Sequence, residues 1–317
     1  MAASIFVSVA SYCDPLLRFT LDSARSQAAD ASRVFVGVVD QSPPGRGLVL
    51  HDEWSREHVR FTHVDALEAR GPCWARALAM GLYQGEDWYL QIDSHTWFEP
   101  GWDERLVHAA EQCAGTQPRV ILTCYPNAFV MNDGQPMARP VTQSVLALVV
   151  HPEAQFAADH PVLMFEGVAV ERDVPVPGMH VAGGCLFAPG RIVGEVPYDP
   201  RLYFHGEEQA FALRAWTRGW DIFHIPTMPL YHLYTEVGSA PRPMHWSPEQ
   251  DERRAIRSGA LEETARRRMA ALLWGGADLG VYGLGGARSL ADYAAFSGID
   301  YAARTIQPWA RKARFGY

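Results

Sequence analysis

Asp87-Trp88-Tyr89-Leu90-Gln91-Ile92-Asp93-Ser94-His95-Thr96 decides the fold. An aromatic and aliphatic run ends abruptly in Asp-Ser-His. Such a run reads as a buried strand. In an open α/β sheet, that strand delivers the residues after it to the carboxyl edge, where ligands bind. Asp93 and His95 alternate along the chain, so in extended geometry both point the same way and Ser94 turns aside. A carboxylate and an imidazole on one side can share a divalent cation; the N/O pair suits Mn or Zn, and Mg less well. Taken alone, the same three residues also fit a helix cap beside a surface histidine.

Upstream, residues 5–10 read as a first strand, 16–29 as an amphipathic helix and 34–39 as a second strand ending at Asp40. Ser11 or Asp14 would cap that helix, and Pro15 suits its first turn. Strand, helix, strand at this spacing is a βαβ unit, so the sheet begins parallel. Residues 59–64 fit a third strand. Residues 69–76 open a helix that runs to about residue 85 and carries Arg70 and Arg76 near its start; a helix N-terminus with two guanidiniums favours an anionic ligand. The other reading of both arginines is a solvated surface.

Downstream, residues 102–113 predict a helix, and 120–124 and 145–150 predict strands. Residues 127–140 look like loop, and 151–177 show little pattern. Residues 180–188 read as a strand broken by Gly183-Gly184, which allows close approach of a ligand or a second backbone. Gly206-Glu207-Glu208 opens a helix that reaches Arg218; acids there are often only dipole partners. Strands follow at 221–225 and 230–234, then a Pro/Gly/Ser linker and a helix over 251–274. The Gly-rich stretch 275–286 follows no buried strand, so it is no dinucleotide fingerprint. A short helix and an aromatic tail end the chain.

Composition narrows the function. With 317 residues, 48% apolar and 20% charged, the chain is an ordinary globular protein of one large domain or two modest ones. A net charge of -8 argues against nucleic-acid binding. Lys312 is the only lysine, which reads as GC-rich coding bias and a bacterial source. No apolar run is long enough for a transmembrane helix, and the N-terminus lacks the basic start of a signal peptide. The five cysteines are scattered and form no Cys-x-x-Cys pair, so reduced thiols in a cytoplasm are expected.

These pieces together resemble glycosyltransferases of the GT-A fold that use a UDP-sugar and a divalent metal. One resemblance is to the N-acetylglucosaminyltransferases that modify hydroxyproline on a ubiquitin-ligase subunit (Skp1-type) and their bacterial homologues. It runs through Phe6-Val7-Ser8-Val9-Ala10-Ser11-Tyr12, Gln91-Ile92-Asp93-Ser94-His95, and Leu279-Gly280-Val281-Tyr282-Gly283-Leu284-Gly285 with Arg288-Ser289-Leu290. A second is to the polypeptide N-acetylgalactosaminyltransferases. Their Asp-x-His motif looks like Asp93-Ser94-His95, and their later motif looks like Gly206-Glu207, Arg214-Ala215-Trp216, Gly219, Pro226 and His232. Glu208 and Ala210 depart from that pattern, where the family often has Asn and an acid.

The resemblance implies an α/β, Rossmann-like GT-A domain over 1–238 and a helical extension or lid over 239–317. It implies a metal (Mn2+ or Mg2+) on Asp93, His95 and His232, with His224 and His245 as alternatives for the third ligand. His224 reads as a packed strand histidine, and His245 as part of a lid over the nucleotide. Arg70 and Arg76 would add donors to the diphosphate or pack the nucleotide loop. Asp40 and Ser11 would hold uridine, Ser94 would line the donor site, and Gly183 and Gly184 would let backbone approach the donor sugar. Glu207 would orient sugar hydroxyls in retaining transfer from UDP-GlcNAc to a hydroxyl on a protein, peptide or glycan. Alternatively, Glu207 or Glu208 is the general base of an inverting enzyme with another UDP-sugar. A metal hydrolase and a nucleotide-sugar-binding protein without turnover are the rivals from other classes. Arg242, His245 and Trp246 are expected to shape acceptor choice, and Trp216 and Trp220 to lie in the core.

Overall fold

The computed structural model describes residues 3–115, 118–141, 144–234 and 243–313. The opening βαβ unit forms as its pattern predicts. Strand β1 (Ile5–Tyr12), helix α1 (Leu17–Gln27) and strand β2 (Val34–Gln41) are followed by α2 (Glu53–His58), β3 (Val59–Val64), α3 (Pro72–Met80) and β4 (Trp88–Asp93). β1 pairs in parallel with both β2 and β4, and β2 with β3. Next come β5 (Thr96–Phe98), α4 (Trp102–Ala114), β6 (Val120–Thr123), β7 (Asn127–Asn132), β8 (Gln135–Ala138), β9 (Val145–Val150), β10 (Phe165–Val170), β11 (Val176–Pro177) and β12 (Cys185–Pro189). The rest includes α5 (Ile192–Glu195), α6 (Glu207–Thr217), β13 (Asp221–His224), β14 (Leu230–His232), α7 (Pro248–Asp251), α8 (Ser258–Trp274), α9 (Leu290–Ser297), β15 (Ile299–Asp300) and β16 (Thr305–Ile306).

Among the described residues the main sheet runs β11-β13-β6-β12-β4-β1-β2-β3. β12 enters antiparallel between β4 and β6. Period-2 alternation sorts the side chains. Ile5, Val7 and Val9 meet α1 and α4 on one face, in a cluster with Leu21, Leu106 and Ala110. Phe6 and Tyr89 face the other way, toward Met80 of α3, Phe211 and Trp216 of α6, Met269 of α8 and Tyr293 of α9. Trp216 and Trp220 are core residues, as expected. The expected 238/239 boundary lies outside the described residues, as does Arg242. α8 and α9 share one continuous core with the sheet.

Residues 127–140, expected as loop, form the β7–β8 hairpin. Asp133 and Gly134 both take positive φ, the turn that an Asp-Gly pair favours. The helix expected over 251–274 begins only at Ser258, after a separate short α7. A second sheet, β5-β14-β7-β8, stands at the carboxyl edge of the first. It brings His232 opposite Thr96 in an antiparallel pair, next to His95.

Candidate active site

On β4, Tyr89, Gln91 and Asp93 share the face turned toward α3 and α6, while Leu90 and Ile92 point into the opposite core. Gln91 is fully buried and donates to the carbonyl of Gly183 at 2.7 Å. That bond pins the glycine pair against the end of β4. A Cβ on Gly183 would lie 2.6 Å from both Arg76 Nη1 and Glu207 Oε1. One on Gly184 would lie 2.7 Å from Asp93 Oδ2. The glycines therefore let backbone approach the protein's own charged side chains.

After Asp93 the chain bends at 94–95 instead of running extended. Thr20 Oγ1 donates to the Ser94 carbonyl at 2.8 Å and Thr96 Oγ1 to the Asp93 carbonyl at 2.8 Å, which fixes the bend. His95 still converges with Asp93, because β5 leads straight into its pairing with β14. The His95 and His232 ring centroids are 4.6 Å apart, and His232 Nε2 lies 3.1 Å from Asp93 Oδ2. One donor atom each from Asp93, His95 and His232 fall within 4.8 Å of one another. Two imidazoles and a carboxylate so placed fit a divalent transition metal. The recessed position of Asp93 works against its charge, but His232 and the Arg76 guanidinium outweigh this and hold the carboxyl well below the usual range.

Asp14 completes the rim. Its carboxylate is buried and lies 2.6 Å from His95 Nδ1, and the same oxygen accepts from Ser94 Oγ at 2.8 Å. Burial opposes its ionisation, yet the His95 contact and these donors leave its pKa below the ordinary value.

Arg76, expected to add donors to the diphosphate or pack the nucleotide loop, is engaged by two carboxylates. It donates to Asp93 Oδ1 at 2.9 Å and pairs with Glu207 Oε1, and it is buried. The other oxygen of Glu207 accepts from the Cys73 thiol at 2.9 Å. Burial pushes the Glu207 carboxyl upward, against Arg76. Gly206 makes this placement possible: its φ of +85° is a left-handed turn that delivers Glu207 at the start of α6. Glu208 Oε1 accepts from the Gly183 N–H at 2.5 Å, and Oε2 lies 3.6 Å from His180 Nε2. Arg70 stays outside: it is exposed, with its guanidinium 5.9 Å from the Trp74 ring.

A cleft of about 740 Å³ joins Asp93, His95, His232, Gly183, Gly184, Glu207 and Glu208. A smaller slot continues from His95 along β1, lined by Tyr12, Gln41, Ser94 and His245. Strand parity separates the residues at this edge. Ser11 pairs with Asp40 and Tyr12 with Gln41, and only the second pair faces the slot. Ser11 is buried, and Asp40 accepts from the Leu48 N–H at 2.6 Å beside a separate cavity. His245 lines the slot. Its Nε2–H donates to the Ala69 carbonyl at 2.8 Å, and its Nδ1 accepts from Tyr203 at 2.7 Å. Arg254 ties it down by donating to the His245 carbonyl and the Tyr12 hydroxyl.

The residues that sequence reasoning missed are Asp14 as a partner of His95, Cys73, and Tyr12 with Gln41. Asp14 had a signal, since it follows a strand at the carboxyl edge. Cys73 had none.

Comparison with known proteins gives the family and the fold. A family model described as "Glycosyltransferase (GlcNAc)" matches residues 4–45 and 42–303. The chain belongs to that family. No curated protein matches it. Among solved structures, it is similar to GalNAc-T7 with UDP, GalNAc and Mn2+, at TM-score 0.57 and 14% identity, over 86% of this chain. It spans 49% of the GalNAc-T7 chain, about half its length. S. aureus TarS 1-349 in complex with UDP-GlcNAc aligns at TM-score 0.43 and 15% identity, over 74% of this chain and 59% of that one. The fold of this glycosyltransferase-family chain is GT-A.

Proposed function

We propose that this family member is a divalent-metal-dependent, retaining glycosyltransferase that moves N-acetylglucosamine from UDP-GlcNAc to a hydroxyl acceptor. The observation that carries the reading is the convergence of Asp93, His95 and His232 with Glu207 and the Gly183-Gly184 backbone in one cleft. A cation on those three ligands (Mn2+ or Mg2+) would act as Lewis acid and template for the departing diphosphate. The GalNAc-T7 structure, of the same fold, holds ligands of this class. Uridine would occupy the slot beneath His245, against Tyr12 and Gln41.

Glu207 favours retention. One of its oxygens is engaged by Arg76 and the other by Cys73, so it is poorly placed to pull a proton from an acceptor. Its remaining lone pairs suit a hydroxyl of the donor sugar. In same-face attack the acceptor proton passes to a β-phosphate oxygen of UDP, and the product is α-linked. Proton NMR of fresh product checks this; an initial β-anomer would overturn it. The inverting alternative has one observation behind it: Glu208 lines the cleft, and its Oε2 lies 3.6 Å from His180 Nε2.

At the mouth of the cleft, Phe204 and Trp246 are exposed with ring centroids 4.7 Å apart. We assign this wall to the acceptor, for which hydroxyproline peptides, other peptides and glycans are the substrates to try. The five free cysteines fit a reducing cytoplasm; no helix among the described residues is long and apolar enough to cross a membrane. The deciding experiment is UDP release over a panel of UDP-sugars, with Mn2+ and with chelator. Metal-dependent release from UDP-GlcNAc supports the reading. Tight UDP binding without release under any acceptor would favour a binding protein, and hydrolysis without transfer a hydrolase.

A further inference from the structure

We propose that Asp14 is a positioning residue that fixes the tautomer and aim of His95, so that Nε2 is the nitrogen offered to a divalent cation. The inference rests on the cation site proposed above. An ionised carboxylate can only accept, so the 2.6 Å contact between Asp14 Oδ2 and His95 Nδ1 places the proton on Nδ1. The lone pair of the neutral ring then sits on Nε2. A carboxylate behind a ligating histidine also raises its basicity and locks the ring plane.

Asp14 is itself held. Its Oδ1 accepts from the Leu16 N–H at 2.9 Å, at the entry to α1. Its Oδ2 takes the Ser94 hydroxyl at 2.8 Å as well as His95. The side chain is only 4% exposed, so neither oxygen is free to swing toward water. The turn after β1 thereby orients a residue that follows β4, 81 positions later.

The test uses the full-length chain and two readouts. Long-range 15N NMR of histidine-labelled protein, with His95 assigned by its loss in His95→Gln, reports the tautomer without metal. Mn2+ affinity is read by EPR. The expected wild-type result is the Nδ1–H tautomer. Asp14→Ala should move His95 toward Nε2–H and weaken Mn2+ by about 10–100-fold. Asp14→Asn, whose amide oxygen still accepts from Nδ1–H, should keep the tautomer and weaken Mn2+ less; it carries the test should the alanine variant not fold. A wild-type Nε2–H tautomer, or unchanged Mn2+ affinity in the Asp14 variants, overturns the proposal. Wild-type Mn2+ binding that is absent, or indifferent to Asp93→Asn, overturns the cation site and the proposal with it.

Discussion

His232 and His224 lie eight residues apart on neighbouring strands of the chain, and the fold gives them opposite environments. His232 sits on the rim, facing the cleft, with Asp93 at 3.1 Å and His95 at ring distance. His224 lies inside the main sheet, fully buried, with Nε2 3.1 Å from the His180 carbonyl. A Cβ on Gly178 would come within 2.7 Å of its ring, so backbone packs directly on the imidazole. Burial drives the pKa of His224 down to about 4, and it stays neutral at physiological pH. A histidine with a carboxylate partner and an open face can hold a cation. One bonded to backbone and walled in can only fill space and satisfy a carbonyl.

Breaking the rim should have the largest effect. Asp93→Asn keeps the shape but removes the charge, and metal-dependent UDP release should fall to background with the fold intact by circular dichroism. Next, His232→Gln should lower that activity by more than about 100-fold, beyond what loss of an outer partner causes, and leave the melting temperature nearly unchanged. If His224→Gln gave the same loss and His232→Gln did not, the two assignments would have to be exchanged. In the interior, His224→Leu strands the His180 carbonyl and should cost about 1–3 kcal/mol in denaturant unfolding, with activity per folded molecule preserved. The smallest effect is on pH. The folded pKa of His224 lies near 4, below its ordinary 6.5, so the unfolded chain binds the extra proton between those values. Its stabilisation is complete above about 6.5 and is lost as pH falls toward 4, by at most about 1.4 kcal/mol per pH unit. His245, also lowered to about 4 by burial, acts in the same direction. Melting temperatures at pH 7 and pH 5 should separate wild type from His224→Leu, whose acid loss is shallower.

The fold and the Asp93, His95 and His232 cluster were legible in the sequence for different reasons. The βαβ start and the run ending at Asp93 carry their periodicity openly. His232 was readable only through its spacing from Gly206-Glu207, since a strand histidine looks the same in either environment. Ser11 and Asp40 turn away from the slot beside His95, because the side-chain period of a strand is two and its phase depends on which face the helices cover. Arg76 was visible as a cation, but not as the common partner of two carboxylates, which come from positions 93 and 207. The β7–β8 hairpin did have a local sign in Asp133-Gly134, hidden by the polar residues around it.

The clamp on Arg76 has a consequence for how the centre comes into being. Its partners are 17 and 131 residues away along the chain, and His232 reaches Asp93 across 139. Contacts of the longer range require long loops to close, so the centre depends on the non-local part of the fold. No fragment that ends before β14 can carry it. In a denaturant titration, any cation binding at the proposed site and the global transition should therefore disappear together, with no partly unfolded species that still binds the cation.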